Sequence, residues 1–192
     1  MLNPLLQDVP QVIETDRLIL RCPKAGDGQA VFAAVRESLP ELRRYLAAVP
    51  WVAEEPSAEA SEVYCRTAYS NFIARKDMPY LIFERRTSLL VGGTGLHRPN
   101  WEVPKFEVGY WCRTAQTGQG YISEAVRALA CRAEEELGAL RIELITDSEN
   151  QRSRAVAERC GFTLEGLLRN DRRAPDGSLR DICIYARTAQ PD

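Results

Sequence analysis

Thr117-Gly118-Gln119-Gly120-Tyr121-Ile122 is the stretch of this chain whose residue types and spacing carry the plainest chemistry. Two glycines one residue apart let the backbone turn sharply and approach a ligand with no Cβ in the way. An amphipathic run follows at once. Its first N–H groups are unpaired and lie at the positive end of a helix dipole, which suits an anion. A strand, a glycine turn and a helix start therefore read as a cradle for a diphosphate. The Walker loop is excluded, because Gly120 is followed by Tyr121 and Ile122 where that loop needs Lys and Ser or Thr. The dinucleotide fingerprint is excluded as well, because its third glycine would stand where Ser123 is. With no lysine to reach a phosphate, the anion is held by main-chain amides.

The elements that must position this loop can be read from periodicity. Lys105–Cys112 (KFEVGYWC) alternates as a strand before it, and Ile122, Val126, Leu129, Ala133 and Leu137 form one face of the helix after it, with Gly138 as the stop. Arg17–Arg21 reads as a first strand. Asp27 stands as the cap of a helix carrying Val31, Val35 and Leu39. Pro40 and Pro50 interrupt this region, and a second helix after Ser57 sets Ala60, Tyr64, Ala68 and Phe72 at four-residue intervals. Residues 80–84, 89–97, 141–146, 162–168 and 179–187 read as further strands, and residues 152–159 as a helix ended at Gly161. The order β-α-α-β-β-β-α-β-α-β-β predicts one domain over residues 1–192, a three-layer α/β sandwich around a mixed, mostly antiparallel sheet.

The whole chain sets limits on function. Its 192 residues, 45% hydrophobic, suffice for one substantial core. A formal charge of −2 argues against a nucleic-acid partner, because phosphate backbones select a basic face. The six cysteines are dispersed with no C-x-x-C pair, and no charged start precedes a long apolar run. No membrane partner and a reduced, cytoplasmic location are the expectation. His97 is the only histidine, so neither a His-based triad nor a multi-histidine metal site is expected, and a structural or exposed role is expected for it. Arg169, Arg172 and Arg173 read as a solvated loop before Pro175.

Around the glycine loop the chain resembles motif A of the GNAT superfamily, the acetyl-CoA-dependent N-acetyltransferases, whose core is Q/R-x-x-G-x-G/A. The second motif glycine falls on Gly120, while Thr117 and Ile122 depart from the consensus. The resemblance extends over nearly the whole chain and is closest to the RimJ/RimL branch. IETDRLILR, LVGGTGLH, FEVGYW, GQGYISEA, the NQRS-to-GF segment and Glu165-Gly166 occur in that branch's order. It implies acetyl-CoA as cosubstrate, no metal, an amine-bearing acceptor, and a monomer or homodimer.

The resemblance also assigns residues. Amides of Gly118, Gln119, Gly120, Tyr121, Ile122 and Ser123 would hold the pyrophosphate. Main-chain groups of Trp111, Cys112 and Arg113, with Asn150, would hold the pantetheine arm in a splayed part of the sheet. The nucleophile must be a neutral amine. Deprotonation at neutral pH costs about 4–5 kcal/mol for a lysine-like amine but only about 1–1.4 kcal/mol for an α-amine. Glu107, in the strand before the loop, and Glu102, beside Trp101 in the preceding turn, are the candidate bases, with a water relay as the other route. The tyrosine that many members carry to protonate the CoA thiolate is replaced by Ala157, which leaves Ser153 or Ser148 as the hydroxyl donor. Segments 40–60 and 98–104 would shape the acceptor site. Two readings follow: direct acetyl transfer to a primary amine of a peptide, protein N-terminus or antibiotic-like molecule through a ternary complex, or a non-catalytic CoA-binding sensor on the same fold. Cys112 stands beside the loop, and a nucleophilic role for it is the lesser reading.

Overall fold

The computed structural model describes residues 3–46, 49–174 and 176–188, so positions 47 and 48 of segment 40–60, and Pro175, lie outside them. One mixed sheet of eight strands runs in the order β1-β2-β3-β4-β5-β6-β8-β7. The strands are β1 (Val12–Glu14), β2 (Leu18–Arg21), β3 (Met78–Glu84), β4 (Leu90–Asn100), β5 (Lys105–Cys112), β6 (Arg141–Asp147), β7 (Thr163–Arg173) and β8 (Leu179–Thr188). All neighbours are antiparallel except β5 and β6. The helices are α1 (Gly28–Leu46), α2 (Pro50–Ala53), α3 (Ala58–Ile73), α4 (Tyr121–Leu137) and α5 (Gln151–Arg159).

Alternation along the strands builds two cores. Tyr80, Ile82, Phe106, Val108, Ile142 and Leu144 pack with Ile122, Val126, Leu129 and Ala133 of α4 and Ala157 of α5. On the other face Leu81 and Leu90 pack with Val31, Val35, Leu39 and Leu42 of α1, Val52 of α2 and Cys65 of α3. The expected sandwich is therefore present, with α4 and α5 on one face and α1 to α3 on the other.

Several elements differ from the sequence reading. A short β1 precedes the first expected strand. Pro40 does not break α1, which runs through to Leu46. The ring removes the N–H that would reach the Arg36 carbonyl, at a cost of about 3 kcal/mol in a helix interior. Pro40 and Arg36 are both exposed, so water reaches that carbonyl, while Leu39 and Leu42 stay buried. In α3 the buried stripe is Ser61, Cys65, Ala68 and Phe72, which leaves Ala60 and Tyr64 exposed. The buried stripe steps by four, three and four with the 3.6-residue turn, so a strict four-residue spacing holds at Ala68 and Phe72 and drifts off the buried face at Ala60 and Tyr64. Asp27 does not stand free as a cap, because its carboxylate is engaged by Arg21 (2.6 and 2.7 Å) and the Lys24 amide. Glu62 of α3 accepts from the Gly28 amide instead (3.1 Å). The arginines at 169, 172 and 173 belong to the exposed strand β7, where Arg172 and Arg173 pair with β8.

Candidate active site

The parallel contact between β5 and β6 is short. Its register is Lys105↔Arg141, Phe106↔Ile142 and Glu107↔Glu143. Beyond Glu107, β5 stays paired with β4 as far as Cys112, and β6 stays paired with β8 as far as Asp147. Each half of the sheet keeps its own partner, and the twist between them carries the two strands apart. A wedge opens in the sheet beside the glycine loop.

The antiparallel alternation fixes which main-chain groups line this wedge. Arg113 donates to the Val91 carbonyl (2.7 Å), so the hydrogen-bonded pairs with β4 fall on Arg113, Trp111 and Gly109. The groups of Val108, Tyr110 and Cys112 consequently turn toward β6. Of the three residues expected to meet a pantetheine arm, Cys112 has that orientation. Trp111 and Arg113 have theirs spent on β4, and the Arg113 side chain is tied to Glu37 of α1 (2.6 Å).

At the wide end of the wedge, Gly118 and Gly120 both have φ +78°, the left-handed conformation that favours glycine. Gly120 caps α4 without a side-chain hydrogen bond, and the first helical bond runs from the Glu124 N–H to the Gly120 carbonyl. No described residue accepts from the amides of Gly118, Gln119, Gly120, Tyr121, Ile122 or Ser123. These residues, expected to form a cradle, do present unpartnered N–H groups together at a helix start. The Ile122 side chain itself is buried in the core. A latch holds the loop from the other end of the chain. Arg17 donates to the Gln119 carbonyl (3.0 Å) and to Glu124 (2.6 Å), and its guanidinium lies 4.8 Å from the Tyr121 ring centre. Thr15 also donates to Glu124 (2.6 Å). Arg17 and Glu124 thus form an ion pair that fixes the loop beside the amides.

On the α5 side, Tyr110 reaches across to Ser153, with the two hydroxyl oxygens 2.7 Å apart. Burial pushes the Tyr110 hydroxyl up, and the Ser153 contact works the other way without overcoming it. Asn150 caps α5, its side-chain oxygen accepting from the Ser153 amide (3.1 Å). Ser148 follows β6 and is anchored by its own amide to the Asp181 carbonyl (2.9 Å). Ala157 is fully buried. The facing strand brings the Tyr110 hydroxyl to Ser153, four residues before that position. Burial raises the Cys112 thiol to about 11, which keeps it protonated and poorly nucleophilic.

The opposite face of β4 and β5 is floored by glycine. Trp111 lies over Gly93, its Nε1 2.6 Å from where a Cβ would stand, and packs near Trp51 of α2 with ring centres 6.1 Å apart. His97 lies over Gly95 and Gly109 in the same way. Its Nδ1 donates to Asp77 (2.6 Å), since an ionised carboxylate only accepts. Glu107 points to this face with its carboxylate taken by Arg98. Glu102 is exposed in the turn at the closed end of the wedge, where roughly 13 Å of strand separates Lys105 from Gly109. Asp147 ends β6 on the same face as Glu107. Burial pushes its carboxyl up, only partly countered by Arg180 and Arg172.

Glu107, Cys112, Ser148, Asn150 and Ser153 are therefore brought to the wedge and Gly118–Ser123 to its mouth, while Glu102 is not. The sequence reading missed Arg17, Asp77, Tyr110 and Asp147. Arg17 stood in plain sight within IETDRLILR. The other three acquire meaning only through strand register. Among the described residues no group of three or more His, Cys, Asp or Glu gathers as a metal site, and no helix is long and apolar enough to cross a membrane.

A sheet parted beside an amide-lined helix start defines an α/β sandwich built to hold an anionic ligand with an extended, strand-like arm. Residues 17–163 match the family described as the acetyltransferase (GNAT) domain, and the chain belongs to that family. It is 28% identical over 158 residues, 82% of this chain and 86% of the relative, to the uncharacterized N-acetyltransferase YoaA of Bacillus subtilis (strain 168). It is 36% identical over 81 residues, 42% of this chain and 45% of the relative, to the ribosomal-protein-serine acetyltransferase of Escherichia coli (strain K12). Two solved structures share the fold at a TM-score of 0.84. One is the microcin C7 self immunity acetyltransferase MccE in complex with acetyl-CoA and AMP, 21% identical over 94% of this chain and 98% of that one. The other is RimL, the ribosomal L7/L12 alpha-N-protein acetyltransferase in complex with coenzyme A, 24% identical over 92% and 97%. These relatives bear out the RimJ/RimL-like resemblance and the reading of the chain as an N-acetyltransferase.

Proposed function

We propose that this chain transfers the acetyl group of acetyl-CoA directly to the α-amine of a peptide or protein N-terminus. The observation that carries the reading is the wedge between β5 and β6, with unpartnered amides at its mouth and inward-turned groups of Val108, Tyr110 and Cys112 along it. Amides of Gly118 to Ser123, in a loop fixed by the Arg17–Glu124 pair, suit a pyrophosphate. The strand groups suit an amide-bearing pantetheine arm laid in as an extra strand, and one of their N–H groups suits the thioester oxygen.

The two faces divide the remaining work. The Tyr110–Ser153 hydroxyl pair donates a proton to the departing sulfur. Glu107, held by Arg98, borders the face that receives the ammonium. An α-amine needs only about 1–1.4 kcal/mol to lose its proton at neutral pH, so a modest base suffices. Similarity to a ribosomal-protein-serine acetyltransferase and to RimL supports the N-terminal acceptor over a side-chain or antibiotic amine.

Two matched peptides test the acceptor, one with a free N-terminus and blocked lysine, the other reversed, each incubated with acetyl-CoA and weighed by mass spectrometry. Acetylation of the first alone is expected. Acetylation of the second alone would overturn the N-terminal assignment in favour of side-chain or small-molecule amines.

A further inference from the structure

We propose that His97, oriented by Asp77, is the general base that takes the proton from the acceptor amine. This inference rests on the acetyl-transfer reading above.

The argument begins with two glycines. Gly95 and Gly109 face each other across β4 and β5, and the imidazole fills the space their missing side chains leave. Nε2 lies 2.8 Å from the Cβ position of Gly95 and 3.1 Å from that of Gly109. Gly109 stands two residues past Glu107, where pairing with β6 has ended. Nε2 is thereby held against the first unpaired part of β5, beside the wedge-facing groups of Val108 and Tyr110. With Nδ1–H given to Asp77, the lone pair resides on Nε2, which has no partner among the described residues. The histidine side chain is 32% exposed, open enough for an acceptor to reach it. The groups facing it are Asp77 from the turn before β3 and Glu107 from β5, the latter paired with Arg98 of β4. Pro79 of β3 brings no charge.

The carboxylates are less well placed. Glu107 is engaged by Arg98, and Glu102 lies at the closed end of the wedge. In the step itself, the acceptor ammonium passes one proton to Nε2, which becomes an imidazolium still bonded to Asp77. The freed nitrogen pair forms the N–C bond to the acetyl carbon, the C–S bond breaks, and sulfur leaves with the C–S bonding pair. Nε2 returns its proton to water, the second nitrogen proton also leaves to water as the amide forms, and the Tyr110–Ser153 pair protonates sulfur and is reprotonated from water.

The test compares wild type, His97→Asn and Asp77→Asn on two peptides that differ only at the terminal nitrogen. One carries an α-amine. The other carries an aminooxyacetyl cap, whose –O–NH2 is neutral at pH 7 and needs no base. Asparagine at 97 keeps a donor toward Asp77 and removes Nε2. For His97→Asn, kcat/KM on the α-amine peptide should fall about 100-fold or more, with little change on the aminooxy peptide. Its α-amine activity should recover as pH rises toward the amine's own pKa, and Asp77→Asn should fall between the two. Acetyl-CoA affinity, measured by calorimetry, should stay unchanged in both variants. An equal loss on both peptides would mean a structural role and overturn the base assignment, as would no loss on either. A wild type that binds acetyl-CoA yet acetylates neither peptide would overturn the transfer reading itself, and the base with it.

Discussion

Tyr110 and Ser153 meet through hydroxyls 2.7 Å apart on one side of the wedge, 43 residues distant in sequence. If this pair serves the leaving sulfur, Tyr110→Phe should lower kcat about 10- to 100-fold while leaving the KM for acetyl-CoA nearly unchanged, as steady-state kinetics would read. Cys112 gives the complementary case. Its thiol, raised to about 11 by burial, stays protonated through neutral pH, so it should react slowly with iodoacetamide at pH 8. Cys112→Ala should keep turnover within about twofold, because only its main chain faces the wedge. Single residues were legible in the sequence where their role is local. Gly120, read as part of a sharp turn before the helix, takes a positive φ. His97, 20 residues from Asp77, was not legible. Its partner is set by the register of β3 on β4, which no local pattern encodes.

The latch between the start of the chain and α4 works as an element. Burial works against a charged Glu124, but hydrogen bonds from Thr15 and Arg17 outweigh it and hold the carboxyl below its ordinary 4.5. A depressed carboxylate stabilises the fold above its unfolded pKa, and that contribution fades as pH falls through the folded value. Wild type should therefore lose thermal stability below about pH 4.5 more steeply than Glu124→Gln, with differential scanning calorimetry as the measure. The loop itself is testable at Gly120, where φ +78° makes alanine strained by about 1–2 kcal/mol. Gly120→Ala should weaken coenzyme A binding, read by calorimetry, because the amides leave their common direction. The helix after the loop was readable from its apolar stripe, and so was its Gly138 stop. The continuity of α1 through Pro40 was not, because it depends on which side of the helix meets water.

At the scale of the molecule, the three-layer plan followed from element order, since strands alternating with amphipathic helices leave few ways to bury both sheet faces. The parting of β5 from β6 is invisible to periodicity, because both strands alternate normally along their length. Phe106 is fully buried where the two strands still pair, and its ring meets Trp101 edge-on at 5.3 Å. Phe106→Ala should cost about 3–5 kcal/mol in denaturant unfolding. The wedge also has a consequence for traffic. The sheet is a septum with a slit in it: hydroxyls wait on the α5 side, imidazole and carboxylates on the other, and the acetyl carbon would lie in the slit between them. On the proposed reading, protons would enter and leave through separate compartments, and the two substrates would arrive without crossing paths. Neither product need depart before the other substrate docks, so double-reciprocal plots should intersect rather than run parallel.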